Sequence, residues 1–228
     1  MADDQVSVGA RLADVVRERA AVVLSALRDG PVVEDGWDAS DPLVVAATRV
    51  LGADVLAAHT LLGREPAETE VALAQAAVAA FPADTRSSTA GAWTYWGLCA
   101  ALRSAGRAGP GVSALAPPDA GWARTVPWPV LTHRLAQVAA VAVPKWHCPL
   151  AEAAAGRVPD VARGFVRAVR RRDWSQAAGA GRWLAVLGGF PESLGLDAGL
   201  TFVGHLAAGD PRVELQVRAA RLIREASA

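Results

Sequence analysis

The sequence predicts an essentially all-α protein, a helical bundle or an irregular helical-repeat array of about 8–10 helices. Three observations predict it. Apolar residues recur at helical spacing nearly everywhere, no stretch sustains the period-two alternation of a half-buried strand, and Gly or Pro punctuates the pattern where helices should end. Hydrophobic residues make up 52% of the 228 residues and charged residues 20%, a globular balance with enough length for one good core or two small ones.

The first helix is read over 8–28, with Leu12, Val16, Ala20, Val23 and Leu27 on one stripe and Asp29-Gly30-Pro31 as its stop. Residues 31–40 read as a loop. Ser40 or Asp41 is placed to cap a second helix that starts at Pro42 and carries Val44, Ala47, Leu51, Val55, Ala58 and Leu62 to Gly63. A third is expected over 67–81 and a fourth over 89–105. Residues 106–129 hold five of the fourteen prolines, which reads as a linker or a long ordered loop. Trp122 and Trp128 lie in it, so its second half is expected to pack against something. Helical spacing then resumes through Leu131–Val138, Val158–Val169, Trp174–Leu184, Leu196–Ala207 and Pro211–Glu225. The expected organisation is an N-terminal helical half over 1–107, a linker or ordered loop over 108–128 and a C-terminal helical half over 129–228, or one continuous domain.

Charge narrows the function classes. The 23 basic and 23 acidic residues cancel, which disfavours a dedicated nucleic-acid binder and electrostatic attachment to a membrane. No basic n-region precedes an apolar stretch at the N-terminus, and no window of about 18 residues is free of charges or helix breakers. With only Cys99 and Cys148, reduced thiols and a cytoplasmic location are expected. The simplest cause of the excess of Arg over Lys is a GC-rich genome, and a bacterial source is expected; Lys145 is the only lysine.

Two stretches resemble tetratricopeptide helices. Ala92-Trp93-Thr94-Tyr95-Trp96-Gly97-Leu98-Cys99-Ala100 is similar to the first helix of that repeat, preceded by Phe81-Pro82-Ala83-Asp84, and Arg172-Asp173-Trp174-Ser175-Gln176-Ala177 is similar to the turn opening its second helix. The likeness covers about a quarter of the chain, and no 34-residue period links the two stretches. It implies stacked helix pairs that present a peptide-binding surface.

The densest chemistry is Lys145-Trp146-His147-Cys148-Pro149, with Glu152 shortly after. Lys145, His147, Cys148 and Glu152 are the candidate catalytic residues. A Cys–His pair would need a base brought in from His59, His133 or His205, because adjacent side chains point apart. A metal site would need more ligands than His147 and Cys148 supply, a Cys-Pro dipeptide can ligate haem, and a Trp-anchored turn around a buried thiol accounts for the cluster without chemistry. No metal or cofactor is expected. The acidic loop Glu34-Asp35-Gly36-Trp37-Asp38-Ala39-Ser40-Asp41 lacks calcium-loop spacing, and capping explains its end. Arg163, Arg167, Arg170, Arg171 and Arg172 form the one basic concentration, a stripe suited to a phosphate or acidic partner or simply to a solvated helix end.

Eight Trp stand against four Phe and one Tyr. Trp93, Trp96, Trp122, Trp128 and Trp146 are the candidate ligand- or partner-binding residues. The leading expectation is a scaffold for a protein or peptide partner, with self-association into a homodimer as one use of an exposed Trp surface. The rival is a small enzyme or small-molecule-binding protein with a Trp-lined pocket. A nucleic-acid-binding helical repeat is the weakest of the three.

Overall fold

The structure, a computed structural model, describes residues 2–30, 37–84, 87–109, 112 and 114–227, with side chains from residue 8 onward. It is helical, with no strand among the described residues. The chain forms two compact units, Met1–Ala116 and Pro117–Ala228, and the division falls inside the Pro-rich stretch. Residues Glu34, Asp35 and Gly36 of the acidic loop, and Pro31 and Pro110, lie outside the described residues.

The first unit contains α1 (Ala2–Asp29), α2 (Pro42–Leu51), α3 (Ala57–Leu62), α4 (Glu68–Ala80) and α5 (Thr89–Ser104). Asp41 caps α2 by accepting from the Leu43 N–H at 2.8 Å, and Ser88 caps α5 by accepting from Gly91 at 3.0 Å. The single helix expected from Pro42 to Leu62 is instead broken at Gly52, where a 3-10 turn (Gly52–Leu56) begins. The cause is close packing. Gly52 adopts φ +61°, and a Cβ there would sit 2.6 Å from Thr94 Cγ2 of α5. By length and composition Pro42–Leu62 could cross a membrane, but 61% of its apolar window is buried in the protein. Arg49 locks this unit together: it donates to the Phe81 carbonyl at 3.0 Å and the Gly91 carbonyl at 2.9 Å, and its guanidinium stacks on Tyr95.

The second unit contains α6 (Trp122–Thr125), α7 (Trp128–Gln137), α8 (Pro149–Ala155), α9 (Val158–Arg170), α10 (Trp174–Leu187), α11 (Leu196–Leu206) and α12 (Pro211–Glu225). Helix α10 is its centre and packs on α7, α9, α11 and α12. Every residue from Ala177 to Ala185 is buried, as expected of a helix surrounded by others. Small residues make this packing close enough: a Cβ on Gly179 would fall 2.8 Å from the Ala136 Cα of α7. Within this core Arg182 is fully buried. It donates to the carbonyls of Ala142 and Ala140 and to Gln216 Oε1 of α12 at 2.8 Å. Trp183 fills the next position, and its indole N–H donates to the Leu135 carbonyl at 2.7 Å. Arg157 holds α6 against α9 by donating to the Ala123, Arg124 and Val126 carbonyls while pairing with Asp160.

Dividing the chain this way also divides its charge. Residues 1–116 carry 9 basic and 14 acidic side chains, net −5, and residues 117–228 carry 14 and 9, net +5. Neutrality is therefore an average over two oppositely charged units.

Candidate functional site

The turn from Pro144 to Pro149 is set by its backbone. Lys145 takes φ +65°, a left-handed conformation that reverses the chain and leaves its side chain exposed. Cys148 is 2% exposed and stands at the N-cap of α8, with Pro149 in the first turn. His147 and Glu152 are exposed, whereas Cys148 is buried, and no hydrogen bond joins His147 to Cys148 among the described residues. Burial pushes the Cys148 thiol up, with the nearby Glu152 charge in the same sense and the Leu150 and Ala151 N–H groups opposing. The turn thus presents a neutral, enclosed thiol, which is a weak nucleophile near pH 7. Of the distant histidines, His59 engages the Arg64 carbonyl and His205 the Thr201 carbonyl, while His133 is exposed. Among the described residues no three His, Cys, Asp or Glu side chains gather to hold a metal ion.

The candidate tryptophans separate by environment. Trp93 and Trp96 are buried in α5 of the first unit, their rings 5.4 Å apart at 75°, an edge-to-face pair in the core. Trp122, Trp128 and Trp146 belong to the second unit and are half-buried. Trp122 lies under the Arg134 guanidinium at 5.4 Å.

Trp128 has a larger role. It opens α7, and its ring lies beneath two guanidinium groups of α9, Arg163 at 5.7 Å and Arg167 at 5.4 Å. Beside this stack is an open groove of about 350 Å³, lined by Ala162, Arg163, Val166, Arg167, Arg170 and Leu194. Its floor is aliphatic and its rim cationic. The sequence alone marks the Arg stripe of α9, but not its floor or its aromatic support: Trp128 is 35 residues upstream of Arg163, and Leu194 follows α10.

Arg163 has one acidic neighbour, Asp160 at 4.0 Å, which is already bonded to Arg157. Arg167, Arg170, Arg171 and Arg172 make no ion pair among the described residues. The acidic loop, by contrast, is locally occupied where it is described. Asp38 accepts from the Ser40 N–H and hydroxyl, which holds its carboxyl below the usual range, and Asp41 serves α2.

Compared with protein-family models, curated proteins and solved structures, the chain matches none.

Proposed function

We propose that this protein is a helical scaffold that binds a protein or peptide partner, seated on the exposed face of α9. The observation that supports this reading is the groove between α9 and Leu194, a concave aliphatic floor rimmed by arginines and carried on a helix. Its size suits one or two inserted aliphatic side chains, and helix-in-groove docking uses this kind of anchor. The tetratricopeptide-like stretches and a cytoplasmic location, in which both buried thiols stay reduced, belong to the same reading. The rival enzyme or small-molecule-binding reading draws its chemistry from Lys145, His147 and Cys148, and the enclosed neutral thiol weighs against it.

The test is selection of helical peptides from a random display library on the full chain, followed by titration of the selected peptides. Val166→Glu should abolish their binding by placing a charge on the aliphatic floor. Replacing Lys145, His147 and Cys148 together by Ala should leave it within about twofold. Failure to enrich any peptide, or enrichment of peptides that bind the Val166→Glu variant equally, would sink the proposal.

A further inference from the structure

The rim of the groove carries information about its occupant. Arg163, Arg167 and Arg170 stand at i, i+4 and i+7, which places them on one face of α9 over roughly 10 Å of helix axis. The helix dipole favours cations in the last turn, and so accounts for Arg167 and Arg170. It does not account for Arg163, which sits near mid-helix with its side chain 64% exposed. Neighbouring carboxylates do not account for the stripe either: among the described residues its one ion pair is Arg163 with Asp160 at 4.0 Å, and Asp160 is bonded more closely to Arg157. Trp128 holds two of the three guanidinium groups on one ring, which reduces the freedom they would lose on binding an anion. The second unit's net charge of +5 reinforces the local field.

A second open cleft of this unit differs. It is lined by Asp197, Thr201, Arg221, Arg224 and Glu225, and it is satisfied internally: Arg224 grips Asp197 at 3.1 Å and Arg221 donates to Thr201 at 2.8 Å. The α9 groove, by contrast, sets beside apolar surface two arginines, Arg167 and Arg170, that make no ion pair among the described residues, and a third, Arg163, whose one ion pair is at 4.0 Å.

Building on the scaffold reading above, we infer that the occupant of the α9 groove is an acidic amphipathic helix. Its carboxylates, spaced one turn apart, pair with Arg163, Arg167 and Arg170, and an aliphatic side chain between them enters the floor of Ala162, Val166 and Leu194. Guanidinium and carboxylate match as planar, two-pronged partners. A nucleic-acid strand fits less well. The Trp128 ring is already covered by two guanidinium groups and so is not a free stacking platform, and the aliphatic floor would gain nothing from a sugar-phosphate chain.

Fluorescence anisotropy on the full chain tests this with a labelled amphipathic peptide bearing Glu at i, i+4 and i+7 around a central Leu. Its Glu→Gln counterpart, a labelled oligo-dT strand and phosphatidylglycerol vesicles are the comparison probes. The acidic peptide should bind at least about tenfold more tightly than the Gln peptide. Arg163→Gln, Arg167→Gln and Arg170→Gln should each weaken it about three- to tenfold with an unchanged circular dichroism spectrum, and added salt should weaken it further. Trp128→Phe should weaken it less, because Trp128 is a positioning residue, and Arg167→Lys should restore only part of the Arg167→Gln loss. Equal binding of the acidic and Gln peptides overturns the inference. So does tighter, arginine-dependent binding of oligo-dT or of the vesicles. If library-selected peptides bind in a Val166-dependent way while the acidic peptide does not, the charge inference fails and the scaffold reading stands. If neither binds, both fail.

Discussion

Gly164 of α9 lies directly against Thr132 of α7: a methyl at residue 164 would fall 2.1 Å from Thr132 Cγ2 and 2.6 Å from its Oγ1. That threonine cannot simply turn away, because its hydroxyl donates to the Trp128 carbonyl at 2.7 Å. Helix propensity alone would make Gly164→Ala stabilising by about 1 kcal/mol. The clash should reverse the sign and leave a net loss of about 1–3 kcal/mol. A lower urea midpoint for Gly164→Ala, beside an unchanged or raised one for Gly156→Ala, where nothing lies within 4 Å, would bear this out. Equal midpoints would show that α7 and α9 are not packed this closely.

A second expectation concerns the break at Gly52. Alanine there meets both a left-handed φ of +61° and the Thr94 side chain of α5 at 2.6 Å. Gly52→Ala should destabilise the first unit by about 1–3 kcal/mol. Shrinking the neighbour in the double variant Gly52→Ala/Thr94→Ala should recover the packing part but not the backbone part. Thermal melts of the three variants separate the two causes.

Arg182 should be among the most sensitive residues of the second unit. It is 0% exposed and its guanidinium answers the Ala140 and Ala142 carbonyls and Gln216. Arg182→Ala opens a cavity and strips those buried acceptors of their donor, for an expected loss of about 3–5 kcal/mol. Gln216→Ala removes one acceptor and should cost about 1–3 kcal/mol. Chemical denaturation followed by Trp fluorescence reads both, and near-equal stability of Arg182→Ala and the natural chain would contradict the burial.

The two cysteines fix a direction for pH dependence. Burial raises both thiols, Cys99 in α5 and Cys148 at α8, so the folded chain keeps these protons to higher pH than the unfolded one. Stability then falls as pH rises, because the folded state binds more protons. The contribution is complete below the ordinary thiol range of about 8.5 and is lost as pH climbs from there through the raised folded values. Urea midpoints under reducing conditions should therefore drop between about pH 7 and pH 9.5, and the drop should shrink in Cys99→Ala/Cys148→Ala. A midpoint that rises with pH in the natural chain but not in the double variant would refute the assignment. Near pH 7 both thiols should resist alkylation until the chain is unfolded.

Much of the helical framework was legible because it is local. The Pro211–Glu225 helix is readable from its first-turn proline and apolar residues at helical spacing, and the structure places α12 over those residues, with Asp210 as its cap. Helix α8 escaped the pattern: seven residues, mostly Ala, carry too little periodic signal to separate from the turn before them. The break at Gly52 was also illegible, because its cause is Thr94, 42 residues away. At the candidate site the Arg163–Arg167–Arg170 stripe follows from spacing within one helix. Trp128 as its support, and Leu194 in its groove, follow only from how α7, α9 and the turn before α11 pack.

The sequence by itself determined that this chain is helical and where most helices start and stop, since caps, glycine stops and 3.6-residue spacing act between near neighbours, and it drew attention to particular tryptophans, arginines and cysteines. Tertiary packing decided what those residues became. It buried Trp93, Trp96 and Cys148 and left Trp128 holding two arginines at the surface. It also divided a formally neutral chain into units of opposite charge. The physical reason is that burial and charge pairing depend on contacts between residues far apart in sequence, which periodicity along one helix does not encode.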